Sequence, residues 1–279
     1  MLLPSFAQAA IFGDGNPENG IEDQRLVLSL EQQSLPESNA MAAVGTVICD
    51  GGLRGTATHV KSPSTDANQS IIVTAAHILF DVKSGKEYAS CSYLPKNKRL
   101  SAISFGTISE HSFDPLNRDK IAQSENDIVF VALSRALQQP ALLLSVPQAI
   151  NKGKLSLLGY NSSQNHLTES ADCKQYGSIQ FASEKLLLHD CDARSGASGG
   201  PLLWRGENDQ PATLIAVHGG TLMVKGVGEA ASKSNSASRD GAEADPERWI
   251  NQARRVDPAV LERLRRFIAY LAKGSQDQR

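Results

Sequence analysis

Short runs of β-branched and leucine residues dominate the sequence, and each run is bounded by glycine, proline, asparagine, aspartate or serine. Such runs are typical of β-strands, and many strands at close spacing indicate a barrel or a sandwich. The sequence therefore predicts an all-β protein, with strands at 25–30, 44–49, 56–60, 71–74, 102–107, 128–133, 155–159, 178–181, 185–189, 201–204, 214–218 and 252–256.

A proline-containing break divides the predicted strands into two sets. The segment 134–147 reads SRALQQPALLLSVP, and six predicted strands precede it and six follow it. An even division around one crossing segment indicates two similar β-units. We therefore expect an N-terminal barrel over 11–135, an inter-barrel linker over 136–147 and a C-terminal barrel over 148–256.

Two regions depart from the strand pattern. Residues 226–248 are mainly alanine, serine, glycine and charged residues, so this stretch has little to bury and is expected to be a solvated insertion in the second unit. Residues 258–272 carry apolar side chains three and four apart, which indicates a helix capped by Asp257 within a C-terminal helix and tail at 257–279. We expect Arg263, Arg265 and Arg266 on the solvated side of that helix.

Charge and apolar patterning argue against two classes of function. The 279-residue chain has a formal net charge of −2 and a pI of about 6.3, so it has no basic surplus for a phosphate backbone. Its longest apolar runs are about six residues, far below the roughly 20 needed to span a bilayer. We predict no nucleic-acid partner and no membrane span, and we expect a monomer.

The first ten residues bear on the compartment. Residues 7–9 read AQA, a small-x-small pattern of the kind after which signal peptidase cuts, although a basic region is absent. Residues 1–10 are therefore interpreted as a signal-peptide remnant, with a frayed alanine-rich terminus as the alternative. Export implies a secreted or periplasmic location and an oxidising environment for the cysteines.

Two segments of the first unit place a polar residue at a strand end. In TAAH, which ends at His77, small residues let an imidazole lie against the backbone with its outer nitrogen open. In NDI, centred on Asp127, an acid begins an apolar strand, where its carboxylate can hold a histidine N–H and set the tautomer. Taken alone, the first segment is better explained by a buried histidine and the second by a turn aspartate.

The third segment is rich in glycine. Ser198 lies in GASGGP, which begins at Gly196, so three glycines and an alanine leave its hydroxyl little steric cover. Gly196 can adopt backbone angles that direct its N–H and that of Ser198 towards one point, as an oxyanion hole requires. A flexible Gly/Ser turn is the alternative for this segment taken alone.

Together the three segments resemble the trypsin-like serine peptidases of the chymotrypsin fold. TAAH, NDI and GASGGP match the histidine, aspartate and serine motifs of that family in order, with spacings of 50 and 71 residues between His77, Asp127 and Ser198. The resemblance covers about residues 21–271. It implies a double six-stranded β-barrel with a C-terminal helix and an active site in the cleft between the barrels.

The same resemblance implies the chemistry. It makes the chain a serine endopeptidase that cleaves a protein or peptide substrate through an acyl-enzyme, without a cofactor. Ser198 would attack the carbonyl, His77 would move the proton, and Asp127 would orient His77, while the N–H groups of Gly196 and Ser198 hold the oxyanion. The six histidines show no i, i+4 pair and no CxxC accompanies them, so we predict no metal site.

One residue departs from the pattern of trypsin itself. Trypsin has an aspartate immediately before the nucleophile, and this aspartate receives the new N-terminal amine when the zymogen is cut. Here that position is Ala197, whose methyl group cannot form the salt bridge. Activation by that switch is not expected, so the oxyanion loop must be held in another way.

Within the family, the chain resembles the bacterial glutamyl-endopeptidase-like branch. The segment LIAVHGG, which contains His218, resembles the specificity strand of that branch and implies cleavage after glutamate. Asp192, six residues before Ser198, instead matches the pocket aspartate of trypsin and implies cleavage after lysine or arginine. The longer match around His218 favours the acidic preference. The strand edge that follows should bind substrate as an added strand through Gly219, Gly220 and Thr221.

The four cysteines permit three pairings. We expect Cys49 to pair with Cys91 and Cys173 with Cys191, because this choice keeps each bridge within one β-unit. Four reduced core cysteines are the alternative.

Two other functions share features with this one. A non-catalytic binding protein, or pseudoprotease, on the same fold is the principal alternative, although such proteins usually lack a triad residue and none is missing here. Residues 196–200 also fit the GxSxG pattern of α/β-hydrolases. That fold requires a helix after the serine and the order serine, acid, histidine, whereas PLLW after this serine is typical of a strand.

Overall fold

The computed structural model describes residues 26–27, 39–61, 70–81, 83–96, 101–146, 154–161, 166–176, 183–206, 211–224 and 248–276. Strands dominate this part of the chain. They are β1 Leu26–Val27, β2 Val44–Cys49, β3 Gly52–Lys61, β4 Ile71–Thr74, β5 Cys91–Pro95, β6 Ile103–Ile108, β7 Val129–Leu133, β8 Leu142–Leu143, β9 Lys154–Asn161, β10 His166–Cys173, β11 Gln175–Tyr176, β12 Leu186–His189, β13 Pro201–Arg205, β14 Thr213–Val224 and β15 Arg248–Arg255. The described helices are α1 Asn39–Ala42, α2 Lys120–Glu125 and α3 Pro258–Gln276, with a 3-10 helix at Ala76–Leu79.

The first β-unit is a closed barrel. Its strands follow the order β2-β5-β6-β7-β4-β3, and pairing between β2 and β3 closes the ring, while β8 pairs with the end of β3 at Val60 and Lys61. The interior is filled by β-branched and aromatic side chains such as Val47, Ile72, Tyr93 and Phe130, all fully buried. These residue types suit pleated, tightly packed strands, which explains why this half forms a regular barrel.

The second β-unit is an eight-stranded sheet in the order β1-β10-β9-β13-β14-β15-β12-β11. Within the described ranges its two end strands do not pair with each other, so the sheet is not closed by the ladders seen here. Its core is rich in leucine, with Leu157, Leu187 and Leu202 completely buried. The all-β, chymotrypsin-like fold is confirmed, but the expected second six-stranded barrel is, among the described residues, an eight-stranded sheet without a closing ladder.

Two assignments made from the sequence differ from the structure. The sequence places residues 25–30 in the first unit, but β1 pairs with β10 and so belongs to the second sheet. The predicted linker also does more than connect the two units. Its Leu142 pairs with Val60 of β3, and its Leu144 forms a bridge with Leu214 of β14, so this segment is hydrogen-bonded to both sheets. The predicted strand at 178–181, residues 1–10 and nearly all of the insertion at 226–248 lie outside the described residues.

Helix α3 ends the described chain and packs on the first barrel. Val260, Leu264, Phe267 and Leu271 are buried in the same cluster as the barrel interior. The Asp257 side chain accepts a hydrogen bond from the Val260 N–H at 2.8 Å, as expected of an N-cap. None of the described helices is both long enough and apolar enough to cross a membrane.

One arginine of α3 does not lie where the helical pattern predicted. Arg265 and Arg266 are exposed, as expected, but Arg263 is partly buried. Its guanidinium donates to the carbonyl of Ile128 at 3.1 Å and lies 5.7 Å from the centre of the Phe130 ring. The long apolar stem of arginine makes this position compatible with a helix face that packs on the barrel.

Both expected disulfides are present in the structure. Cys49–Cys91 joins two neighbouring strands of the first barrel, where the two residues face each other in the ladder between β2 and β5. Cys173–Cys191 connects β10 to the loop that leads to Ser198. Each bridge therefore lies within one β-unit.

Candidate active site

The first barrel brings His77 and Asp127 to one edge. Strands β4 and β7 pair antiparallel, with Thr74 opposite Val129. Residues that follow β4 and residues that precede β7 therefore emerge at the same end of the sheet. His77 comes three residues after Thr74, and Asp127 comes two residues before Val129, so strand pairing alone makes them neighbours.

The Asp127 carboxylate holds His77 at two points. Its Oδ2 lies 2.7 Å from the imidazole Nδ1, and its Oδ1 accepts the backbone N–H of His77 at 2.8 Å. Asp127 is 4% exposed. Burial by itself would lower the pKa of His77, but the charge and hydrogen bond of Asp127 outweigh it and raise that pKa above its usual value. The ring is thus fixed in orientation, with Nε2 as its remaining nitrogen.

Ser198 lies in the loop that precedes β13, and that loop is fastened to the first barrel through Thr56. The Thr56 N–H donates to the carbonyl of Ser198 at 2.7 Å, and the Thr56 hydroxyl donates to the carbonyl of Gly196 at 2.7 Å. The same hydroxyl accepts the N–H of Tyr160 at 2.9 Å. One buried threonine of the first barrel therefore satisfies three backbone groups of the second β-unit.

The glycines of the loop are required by close contacts. Gly199 has φ of 82°, and a side chain there would overlap the carbonyl of Thr56 and lie 3.1 Å from the N atom of Ala75 in the TAAH segment. Gly196 has φ of 96°, which also favours glycine. The loop that carries Ser198 therefore lies directly against the segment that ends at His77.

The strand after His218 passes beside the aspartate. A β-bulge at Gly219 interrupts the ladder between β14 and β15, and a side chain at Gly219 would lie 3.0 Å from Asp127 Oδ2. On the other side of β14, pairing with β13 stops at Val217. Gly219 and Gly220 are buried and Thr221 is half-buried, so this stretch borders the His77–Asp127 pair.

The two residues with opposing predictions for specificity lie in the second β-unit, His218 on β14 and Asp192 in the loop before Ser198. His218 is 1% exposed, and its Nδ1 lies 3.3 Å from Nε2 of His189, which is fully buried. The two rings meet edge to face with centres 5.4 Å apart. Asp192 is 5% exposed, and its N–H donates to the hydroxyl of Ser170 at 2.9 Å.

Two functional candidates were missed from the sequence. Thr56 gave no signal because its partners Gly196 and Tyr160 are 140 and 104 residues away. His189 ends a predicted strand, and only the pairing of β12 and β14 with β15 brings it to His218. No local pattern marks either residue, since both depend on contacts between distant segments.

A family model described as the trypsin-like peptidase domain matches residues 55–208, which include His77, Asp127 and Ser198. The chain belongs to the trypsin-like peptidases. No curated protein matches this peptidase in sequence.

Solved structures with the same fold share little sequence with this trypsin-like peptidase. A Glu endopeptidase structure matches with a TM-score of 0.59 at 15% identity, covering 89% of this chain and 99% of that one. The thermostable serine protease AL20 from an extremophilic microorganism matches with a TM-score of 0.51 at 16% identity, covering 78% and 92%. The protease Anisep from Arthrobacter nicotinovorans gives 0.52 at 13%, covering 78% and 91%. At these identities the likeness concerns the fold alone.

Proposed function

We propose that this trypsin-like peptidase is an active serine endopeptidase that cleaves peptide bonds through an acyl-enzyme. Ser198 attacks the scissile carbonyl, His77 accepts its proton and later gives it to the leaving amine, and Asp127 stabilises the protonated His77. The observation that carries the proposal is the double contact of Asp127 with His77. This contact fixes the imidazole in the orientation and tautomer that a general base requires.

The oxyanion of the tetrahedral intermediate is stabilised by the N–H groups of Gly196 and Ser198. Because Ala197 cannot form the ion pair that orders this loop in trypsin, another contact has to order it. The hydrogen bonds from Thr56 to the carbonyls of Gly196 and Ser198 supply that order without an N-terminal amine. Thr56 acts as a positioning residue, since it holds the loop and not the substrate.

The substrate backbone binds along 219–221 as an added strand. The ladder between β13 and β14 stops at Val217, so backbone groups of Gly219 and Gly220 lie beyond the end of the neighbouring strand. The bulge at Gly219 places this edge next to Asp127. A substrate aligned there passes in front of His77.

The residue before the scissile bond is acidic, and His218 recognises its carboxylate. The contact between His218 and His189 supports this choice, because a hydrogen bond at His218 Nδ1 sets the tautomer and the orientation of the ring that meets the substrate. Asp192 would favour lysine or arginine. Its turn is held by two hydrogen bonds, however: the Asp192 N–H donates to the Ser170 hydroxyl, and the Asn251 amide donates to the Cys191 carbonyl at 2.7 Å.

The enzyme acts outside the cytoplasm, in the periplasm or as a secreted protein. Two disulfides, one in each half, support this location, because such bonds persist in oxidising compartments. No cofactor takes part, since the three side chains and the backbone N–H groups account for each proton transfer.

A fluorophosphonate probe tests the nucleophile. Wild-type protein should be labelled at Ser198, and Ser198→Ala should abolish labelling and lower turnover of a peptide substrate about a thousandfold or more. Ser195→Ala is the matched control, because Ser195 lies in the same loop and is exposed. If folded wild-type protein is not labelled, the function is that of a non-catalytic binding protein.

A positional-scanning peptide library tests the specificity separately. Wild type should cleave after glutamate, His218→Asn should lose that preference, and Asp192→Asn should retain it. Wild-type cleavage after lysine or arginine that is lost in Asp192→Asn and kept in His218→Asn would overturn the acidic assignment without affecting the peptidase assignment.

A further inference from the structure

A cavity of about 530 Å³ lies between the end of β6 and helix α3. Its lining combines polar, charged and aromatic side chains, including Ser109, Glu110, Arg263, Arg266, Phe267 and Tyr270. A volume of this size is typical of pockets that bind small molecules. Neither His77 nor Asp127 lines the cavity, and the peptidase chemistry proposed above does not use it.

Arg263 is the most unusual group in this cavity. Its guanidinium donates to the Ile128 carbonyl, while its Nε–H is buried and has no hydrogen-bond partner among the described residues. The Asp257 carboxylate, which could balance this charge, forms its ion pair with Arg254 at 2.8 Å. Burial, aided by the positive charge of Arg254, lowers the pKa of Arg263 to about 10. The Asp257 charge opposes this shift but is shared with Arg254, so this partly buried cation is incompletely balanced and an anion in the cavity would stabilise it.

Arg266 adds a second positive charge to the same cavity. It forms no ion pair with any described residue, whereas its neighbour Arg265 pairs with Glu262 at 3.4 Å. Glu110 also lines the cavity, so one carboxylate faces two guanidinium groups. The excess charge of the lining is therefore positive.

The rest of the lining is suited to an apolar group. Phe267 is a buried residue of helix α3, and Tyr270 is 65% exposed on the same helix. An exposed aromatic ring beside a cavity is a common contact surface for a ligand. The Ser109 hydroxyl accepts the Phe130 N–H at 3.0 Å and can still donate its own proton.

We propose that this cavity binds a small organic anion. The acidic head lies between Arg263 and Arg266, and an aromatic or alkyl body lies on Phe267 and Tyr270. A phosphate ester or a carboxylate has the required chemistry, because guanidinium groups recognise both through paired N–H···O bonds. Binding is independent of the peptidase activity and should be unchanged in Ser198→Ala.

Isothermal titration calorimetry with phenyl phosphate tests the site. Wild type and Ser198→Ala should bind one equivalent, and inorganic phosphate, which lacks the ring, should bind at least about tenfold more weakly. Arg266→Gln should weaken phenyl phosphate binding by about tenfold or more, because a hydrogen bond to a charged group contributes about that factor. Arg265→Gln is the matched control on the same helix and should bind like wild type.

Three results would overturn the proposal. The first is the absence of saturable phenyl phosphate binding to folded wild type. The second is an equal loss of affinity in Arg265→Gln and Arg266→Gln, which would indicate general attraction to a basic helix. The third is equal affinity for inorganic phosphate, which would remove the role of Phe267 and Tyr270. Arg263→Gln should also abolish binding, and Tyr270→Ala provides an exposed substitution if Arg263→Gln does not fold.

Discussion

The two halves of the molecule contribute to the candidate site in different ways. The first barrel is closed by the β2–β3 ladder and holds both His77 and Asp127, so their contact is set within one unit. The second sheet has no closing ladder within the described residues, and it contributes the Ser198 loop and the His218 strand. The His77–Asp127 contact therefore depends on strand pairing within one unit, whereas the position of Ser198 depends on contacts between the two units.

Thr56 connects the two halves of the molecule. It belongs to β3 of the closed barrel, yet its side chain and N–H bind the loop of the second sheet. Its carbonyl in turn accepts a hydrogen bond at 2.7 Å from the hydroxyl of Thr74, the first residue of the TAAH segment. The comparison predicts that loss of the His77–Asp127 contact abolishes the proposed chemistry, whereas loss of the Thr56 hydrogen bonds displaces the loop that carries Ser198.

The largest expected effect comes from Asp127→Asn. The amide favours the wrong tautomer of His77, so kcat should fall about 10⁴-fold with little change in KM. Steady-state kinetics on a peptide substrate measures this loss. Asp114→Asn, in an exposed loop of the same unit, should keep wild-type turnover. A decrease of less than tenfold in Asp127→Asn would show that His77 does not rely on Asp127.

A smaller effect is expected from Thr56→Val, which removes the hydroxyl and keeps the backbone donor to Ser198. The Gly196 carbonyl and the Tyr160 N–H lose their partner, so the free energy of unfolding should fall by about 2–5 kcal/mol and kcat/KM by about one to two orders of magnitude. Urea unfolding and kinetics measure the two quantities.

Thr58→Val is the matched control for that substitution. Thr58 lies on the same strand and is fully buried, but its hydroxyl has no hydrogen-bond partner among the described residues. Its replacement should be neutral or stabilising. Equal effects of the two substitutions would refute the special role of Thr56.

The pH dependence of kcat/KM tests the contact between His77 and Asp127 in the first barrel. His77 must be neutral to accept a proton, and Asp127 raises its pKa, so kcat/KM should rise with pH through a midpoint above 6.5. Burial lowers the pKa of the neighbouring His111, and the nearby Glu87 and Asp127 carboxylates do not overcome it. The midpoint of the increase of kcat/KM with pH should therefore be the same in His111→Gln as in wild type. A shifted midpoint in His111→Gln would show that the increase of kcat/KM with pH reports the titration of His111 and not of His77.

The same raised pKa links folding to pH. Because folded His77 binds its proton more tightly than the unfolded chain does, its contribution to stability is complete below pH 6.5 and is lost as pH rises through the folded pKa. The active, neutral form is therefore the one in which this contribution has been lost.

The smallest effect is expected at the connection between β14 and β15. Val224 and Arg248 are paired in the ladder, so residues 225–247, which lie outside the described ranges, can be replaced by Asn-Gly as a two-residue turn. The free energy of unfolding should stay the same or rise by up to about 2 kcal/mol, because a shorter loop costs less entropy to close. Turnover of a small ester should stay within about twofold, and an unfolded product would contradict the insertion interpretation.

Much of the first barrel could be predicted because its strands are apolar and bounded by turn residues. The predicted strand 71–74 has the bounds of β4, and 128–133 differs from β7 by one residue. Strands β5 and β10 were missed, because CSYLP and HLTESADC contain serine, proline, acids and alanine that do not produce the strand pattern. These strands form because their neighbours offer ladder partners, which a local pattern does not contain.

The candidate site also contains residues that the sequence could mark and residues that it could not. His77, Asp127 and Ser198 stand in three motifs that are weak signals singly, but their order and spacing together mark the residues as candidates. Thr56 and Arg263 could not be found in this way, because a buried threonine and a helical arginine look ordinary in sequence. Their importance arises only from contacts with Gly196 and Ile128, more than 100 residues away in the chain.

The position of helix α3 also has a consequence for biosynthesis. Val260, Leu264, Phe267 and Leu271 complete the apolar core of the first barrel, although that barrel otherwise ends near residue 144. A ribosome or a translocation channel delivers those side chains after every described strand of both sheets. The half that holds His77 and Asp127 therefore reaches its final packing only after the half that holds Ser198 has been made. A nascent chain that stops before Pro258 contains the motifs of His77, Asp127 and Ser198 but lacks the helix residues that complete the apolar core.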